Sequence, residues 1–100
     1  MPLSRLKEKT TKEILWVYIL SLLEKRDMYA WEIKNELKGR FGFEPARVTS
    51  YVVLYRLEKG GYVEPRWEKN KKYYGITEKG RELLKEGKAY LKGLVEGLEG

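Results

Sequence analysis

The chain has 100 residues, 42% apolar and 36% charged, which suits one compact domain and leaves no room for a second. It holds neither His nor Cys, so disulfides, zinc fingers, haem ligation and the His-dependent catalytic triads are excluded. A formal charge of +6 favours a polyanionic partner, with nucleic acid ahead of an acidic membrane surface.

In chain order, the opening MPLSRLKEKTTKE has no apolar core followed by a cleavage site, so no secretory signal is expected and a cytoplasmic location is the default. Lys7, Lys9 and Lys12 lie in this basic run, either solvated or set against a flanking phosphate. Thr10 or Thr11 reads as the cap of a first helix running to about Lys25. Ile14, Leu15, Tyr18, Ile19, Leu22 and Leu23 form its stripe, and Trp16, Val17 and Leu20 lie off it. A helix apolar almost all round must be covered on more than one side. Its apolar run, residues 14–23, is too short to span a bilayer.

A second helix, about Tyr29 to Lys38, turns Ala30, Ile33 and Leu37 to one face. Gly39, Gly42 and Pro45 then punctuate the chain. They lack a phosphate-loop signature and read as turns. A third helix runs from about Ala46 to Lys59 and stops at Gly60-Gly61, so three helices precede any strand. Its inward face is ambiguous, because Ser50, Val53, Leu54 and Leu57 compete with Val48, Tyr51, Val52 and Tyr55.

From Tyr62 the chain becomes β-prone, predicting a two-stranded hairpin around the polar turn Glu68-Lys69-Asn70-Lys71, with Pro65 in an edge position. Lys69, Lys71 and Lys72 at its tip suit phosphate contacts, or a solvated turn. Trp67 is expected to anchor the hairpin to the body, and Trp31 to pack in the core. Thr77 caps a last helix of about 22 residues, roughly 33 Å at 1.5 Å per residue and longer than the core of so small a domain requires. Leu84, Leu91, Leu94 and Leu98 follow an a/d spacing with Val95 beside them, predicting a dimer interface. Residues 77–100 balance five basic against five acidic groups, so the positive excess lies elsewhere.

The expected fold is mainly α, an α+β winged helix: a three-helix helix-turn-helix core, a two-stranded β wing and a long C-terminal dimerisation helix. Residues 1–76 form the DNA-binding part and 77–100 the dimerisation helix, in one structural unit. No pair of Lys, Tyr, Ser or carboxylate residues has diagnostic catalytic spacing, so no enzyme, cofactor or metal is expected. A winged-helix module that binds protein in place of DNA is the alternative. The absence of Gln, with two Asn and abundant Glu and Lys, leans towards heat tolerance and a thermophile.

Tyr29-Ala30-Trp31-Glu32-Ile33, then RLEKGGYVEPRW, then KYYGITEKGRELL resemble the PadR family of transcriptional regulators over about residues 14–86. The resemblance implies a homodimeric repressor whose C-terminal helix packs with its partner's and against the partner's first long helix. It aligns Thr49 and Tyr51 with the exposed side of the third helix, leaving Val53, Leu54 and Leu57 inside. Arg47, Thr49, Tyr51, Val52, Tyr55 and Arg56 then face double-stranded DNA. It also implies a flat aromatic ligand between protomers, for which Trp16 is the better candidate contact and Trp31 the other. Val48-Thr49-Ser50-Tyr51-Val52-Val53-Leu54 lacks the Pro usual in that family's recognition helix, so operator sequence does not carry over; the wing lacks a Gly-Arg-Pro-Arg insertion, so deep minor-groove contact by the wing does not carry over either.

Overall fold

A computed structural model describes residues 1–100. The chain begins with an unexpected helix, α1 (Pro2–Lys12), which buries none of its residues. Thr10 and Thr11 do not cap a helix start; their hydroxyls donate to the carbonyls of Leu6 (2.8 Å) and Lys7 (2.7 Å) inside α1. Threonine satisfies its hydroxyl on the preceding turn as readily as at a cap, and sequence does not separate the two. The chain breaks at Glu13-Ile14, and α2 (Leu15–Leu23) follows. Leu15, Ile19, Leu22 and Leu23 of the expected stripe are buried, and so is Leu20 from the opposite side. α2 is therefore the central helix, packed against α1 and against each of the three later α-helices.

Contrary to the expected order, a strand comes before the next helix: β1 (Met28–Tyr29), only two residues long. Such a strand is too short to carry a period and takes its definition from its partner. α3 (Ala30–Glu36) then buries Ile33, and the Tyr29 amide donates to Glu32 Oε1 at 3.2 Å across its first turn. A wider π-helical turn, Leu37–Phe41, extends it past the expected end, until Gly42 terminates it at φ +74°. α4 (Arg47–Lys59) occupies the expected third-helix position, and Gly61 turns the chain out at φ +79°.

β2 (Val63–Glu68) and β3 (Lys71–Ile76) form the hairpin. Its turn is the two residues Lys69-Asn70, both with positive φ (49° and 66°), the backbone handedness that suits a twisted ribbon. The sheet has three strands, in the order β1-β3-β2, where two were expected. Met28 pairs with Tyr74, and Tyr29 with Tyr73. Pro65 sits in edge strand β2 opposite Tyr74, where its missing amide costs no second ladder.

In α5 (Glu78–Glu99) the Thr77 hydroxyl accepts from the Gly80 amide at 3.1 Å. A Cβ on Gly80 would stand 2.1 Å from the Tyr62 carbonyl oxygen, so glycine is what lets α5 start against the turn that follows α4. Leu84 completes the core, and the rest of α5 runs outward in a molecule 50 × 29 × 21 Å across.

Candidate nucleic-acid interface

The ambiguity over α4 ends with burial. Leu54 and Leu57 are buried and Val53 is half-buried, whereas Arg47, Thr49, Tyr51, Val52, Tyr55 and Arg56 are exposed. Tyr51 is 49% exposed and Tyr55 61%, far too open for core aromatics. Val48, at 73%, belongs to the same exposed face, a residue that the sequence reading left out of the site. Lys59 Nζ lies 6.0 Å from the Tyr55 ring centroid and extends this face with a cation.

The wing lysines part company. Lys69 is exposed at the turn. Lys71 lies over the Tyr29 ring, 4.7 Å from its centroid. Lys72 is half-buried, with its ammonium 2.9 Å from Glu58 Oε1 of α4. That hydrogen bond raises the Lys72 pKa, so the side chain is a charged tie between β3 and α4. Arg66, on the other sheet face, is held by Asp27 at 3.3 Å and by Glu68, with its guanidinium 4.8 Å over Tyr73; the two carboxylates raise its pKa.

Two tryptophans lie outside their expected places. Trp67 is 68% exposed and does not anchor the wing; at that register it is the paired residue Lys72 that reaches the body, through Glu58. Trp31 is 61% exposed, with its ring stacked on Tyr29 (6.2 Å, 16°). Tyr29 in turn meets Tyr73 edge-on at 5.3 Å. Ala30 and Ile33 supply the buried face of α3, and the intervening position points out.

Trp16 packs within its own chain: a Cβ on Gly87 of α5 would stand 2.8 Å from the indole. It also lines a cleft of about 390 Å³ with Val53, Leu57, Tyr62 and Leu83, at whose edge Lys12 and Arg56 stand. Along α5, Leu84 departs from the expected interface, since it is 1% exposed in the chain's own core. Leu91 is half-buried, and Leu94, Val95 and Leu98 are 50%, 54% and 80% exposed, with Tyr90 near them at 72%. Lys7 and Lys9 are exposed on α1, and Lys12 is paired with Glu8 at 2.9 Å, which lowers the Glu8 pKa. No three acidic side chains gather as a metal site, and no helix is long and apolar enough to cross a membrane.

Comparison with known proteins agrees with this architecture. An uncharacterized protein of Lysinibacillus sphaericus is 35% identical over 95 residues, covering 81% of this chain and 87% of that one. A transcriptional regulator from Clostridium thermocellum superposes with a TM-score of 0.83 at 25% identity, over 91% of this chain and 92% of that one. A PadR-like transcription factor from Bacteroides fragilis does so at 0.81 and 30% identity, over 95% and 96%. Residues 19–86 match the model of the transcriptional regulator PadR-like family. The KYYGITEKG and RLEKGGYV segments lie within that match, as the resemblance implies. The chain belongs to the PadR-like family of transcriptional regulators, whose members are regulators and not enzymes.

Proposed function

We propose that the protein is a repressor that binds pseudo-palindromic operator DNA as a homodimer, with one α4 entering the major groove at each half-site. The observation that carries this reading is the outward face of α4, where Arg47, Thr49, Tyr51, Val52, Tyr55 and Arg56 stand together while Leu54 and Leu57 hold the helix to the core. Arginine suits guanine or phosphate, and Val52 and the Tyr51 ring suit thymine methyl groups. Lys69, and Lys71 beside it, meet the flanking backbone. Lys72 sets the wing's position.

Dimerisation is supported by the apolar stripe Leu94, Val95 and Leu98 continuing from Leu91, on a helix that outruns its own core. The exposed Leu3 and Leu6 of α1, both 59% exposed, offer the partner's α5 a second apolar face. Release from DNA by a small aromatic effector is supported by Trp16 and its cleft, since Val53, Arg56 and Leu57 in the same cleft belong to α4. A cytoplasmic, heat-tolerant regulator fits the composition.

The test is binding to random duplex across a salt series, before any operator is known. A basic winged helix on DNA binds at low salt and weakens log-linearly as salt rises. No binding at low salt favours the protein-interaction module and overturns the reading.

A further inference from the structure

The outer face of the sheet carries a contact between strands that are not neighbours. In the order β1-β3-β2, with adjacent strands about 4.8 Å apart, β1 and β2 stand roughly 10 Å from each other and do not pair. Asp27, one residue before β1, nonetheless accepts a hydrogen bond from Arg66 Nε of β2 at 3.3 Å, reaching across the middle strand. The position it crosses is Gly75 of β3, which pairs with Glu64 of β2. A Cβ on Gly75 would stand 2.8 Å from Asp27 Oδ1, 3.1 Å from Cγ and 3.2 Å from Oδ2, and these are the nearest atoms it would meet. Gly75 is not among the residues with positive φ, so the backbone makes no demand for glycine, and alanine would suit a strand better. The missing side chain is the passage for Asp27.

Both ends of this strap are anchored. Next to Asp27, Arg26 pairs with Glu32 at 3.0 Å and Glu36 at 3.8 Å, both on α3, while the Arg66 guanidinium lies over Tyr73 and pairs with Glu68. Val63 and Tyr74 hold the root of the hairpin in the core, but every β2 residue after Val63 is exposed, so the outer half depends on side-chain contacts at its two faces. Lys72 with Glu58 supplies one towards α4, and Arg66 with Asp27 supplies one on the opposite face. The Arg66 and Asp27 side chains are 48% and 42% exposed, too open for their pairing to add much stability. Its consequence is where the hairpin points.

We propose that Asp27 is a positioning residue for the wing, acting through Arg66 over the gap left by Gly75 to hold Lys69 and Lys71 where they meet the DNA backbone. The proposal rests on the regulator reading and adds to it two residues, Asp27 and Gly75, that act without contacting DNA. Its sign is distinctive. If charge alone mattered, removing a carboxylate from a basic protein would tighten binding to a polyanion. Here the removal weakens it, because the lysines of the tip lose their seat.

The test measures affinity for random duplex and for a duplex selected by the protein, at several salt concentrations, in the wild-type protein, Gly75→Ala and Asp27→Asn. Gly75→Ala changes no charge and evicts the carboxyl group, whereas Asp27→Asn removes the charge and keeps the volume. Thermal melting checks that both fold, and Asp27→Asn decides alone if Gly75→Ala does not. The expected result is a loss of about two- to fivefold on both duplexes, the range that an exposed ion pair allows, with the salt slope of Gly75→Ala unchanged. In a protein that already carries Lys69→Ala and Lys71→Ala, the same substitutions should cost nothing further, because the tip that they position is gone. A general structural effect would persist there. Wild-type or tighter binding in the folded variants, or a loss that persists without the tip lysines, would overturn this proposal while the regulator reading stands. Failure of the wild-type protein to bind any duplex would overturn both.

Discussion

The Lys72 ammonium lies 2.9 Å from Glu58 Oε1, tying the middle strand of the sheet to the last turns of the helix proposed to read DNA. Both side chains are about one-third exposed, at 33% and 32%, and the Tyr74 ring packs beside the ammonium at 5.2 Å. This charged contact adds to the core packing of Val63 and Tyr74 that also joins the hairpin to the body.

A double-mutant cycle on Lys72→Met and Glu58→Gln should return a coupling of about 0.5–1 kcal/mol, since partial exposure screens the pair. Lys72 has its pKa raised in the folded state, chiefly by the hydrogen bond to Glu58. The contribution is therefore fully present at neutral pH and is lost as pH rises through and beyond the ordinary lysine value of about 10.4. Denaturant melts of the four proteins at neutral and strongly alkaline pH check both statements, and coupling that persists at high pH would contradict the second.

The wing lysines should separate on a salt series. Lys69→Ala is expected to weaken random and selected duplex alike and to make the slope of log affinity against log salt shallower by about 0.9. Lys72→Met with Glu58→Gln, which removes both charges together, should weaken binding through a looser wing and leave the slope as it was. If the paired variant flattens the slope as Lys69→Ala does, Lys72 is itself on a phosphate.

On α4, Leu54→Ala removes a side chain that is 1% exposed and should cost about 2–5 kcal/mol of stability. Tyr51→Ala truncates a ring that is 49% exposed, so folding should be nearly intact while preference for selected over random duplex falls by about 1–3 kcal/mol. Thermal melting and competitive binding measure the two effects. A steep loss of stability in Tyr51→Ala would place that ring in a core.

Much of this was legible in the sequence because helix periodicity and turn chemistry are local. The leucine stripe of α2, the stop at Gly60-Gly61 and the Thr77 cap follow from residues near in sequence. What was not legible depends on distant partners. β1 exists because Tyr73 and Tyr74 come back to meet it. Thr10 and Thr11 bond backwards into a helix whose own sequence is polar enough to pass for a tail. The heptad of α5 reads evenly, yet Leu84 is spent on the chain's own core and the residues from Tyr90 onward leave it. Trp31 and Trp67 are expected inward, yet helix phase turns the first out and the second stands exposed on the hairpin.

The dimer interface should fail without harm to the protomer. Leu94 and Leu98 touch little of their own chain, so Leu94→Glu with Leu98→Glu should preserve the melting of the single domain while placing carboxylates in an apolar seam. Light scattering should give about twice the chain mass of 11.8 kDa for the wild-type protein and the chain mass for the variant. A variant that stays dimeric would move the interface elsewhere.

Selection of bound duplexes from a random pool tests the central claim most directly, because it reads DNA binding, half-site sequence and symmetry together. Two copies of α4 related by a two-fold axis should enrich an inverted repeat, with half-sites about one helical turn apart, roughly 10–10.5 base pairs, or a multiple of it. Enrichment of no sequence over the starting pool, or of a single half-site without its inverted copy, would contradict a dimeric regulator that reads DNA through α4.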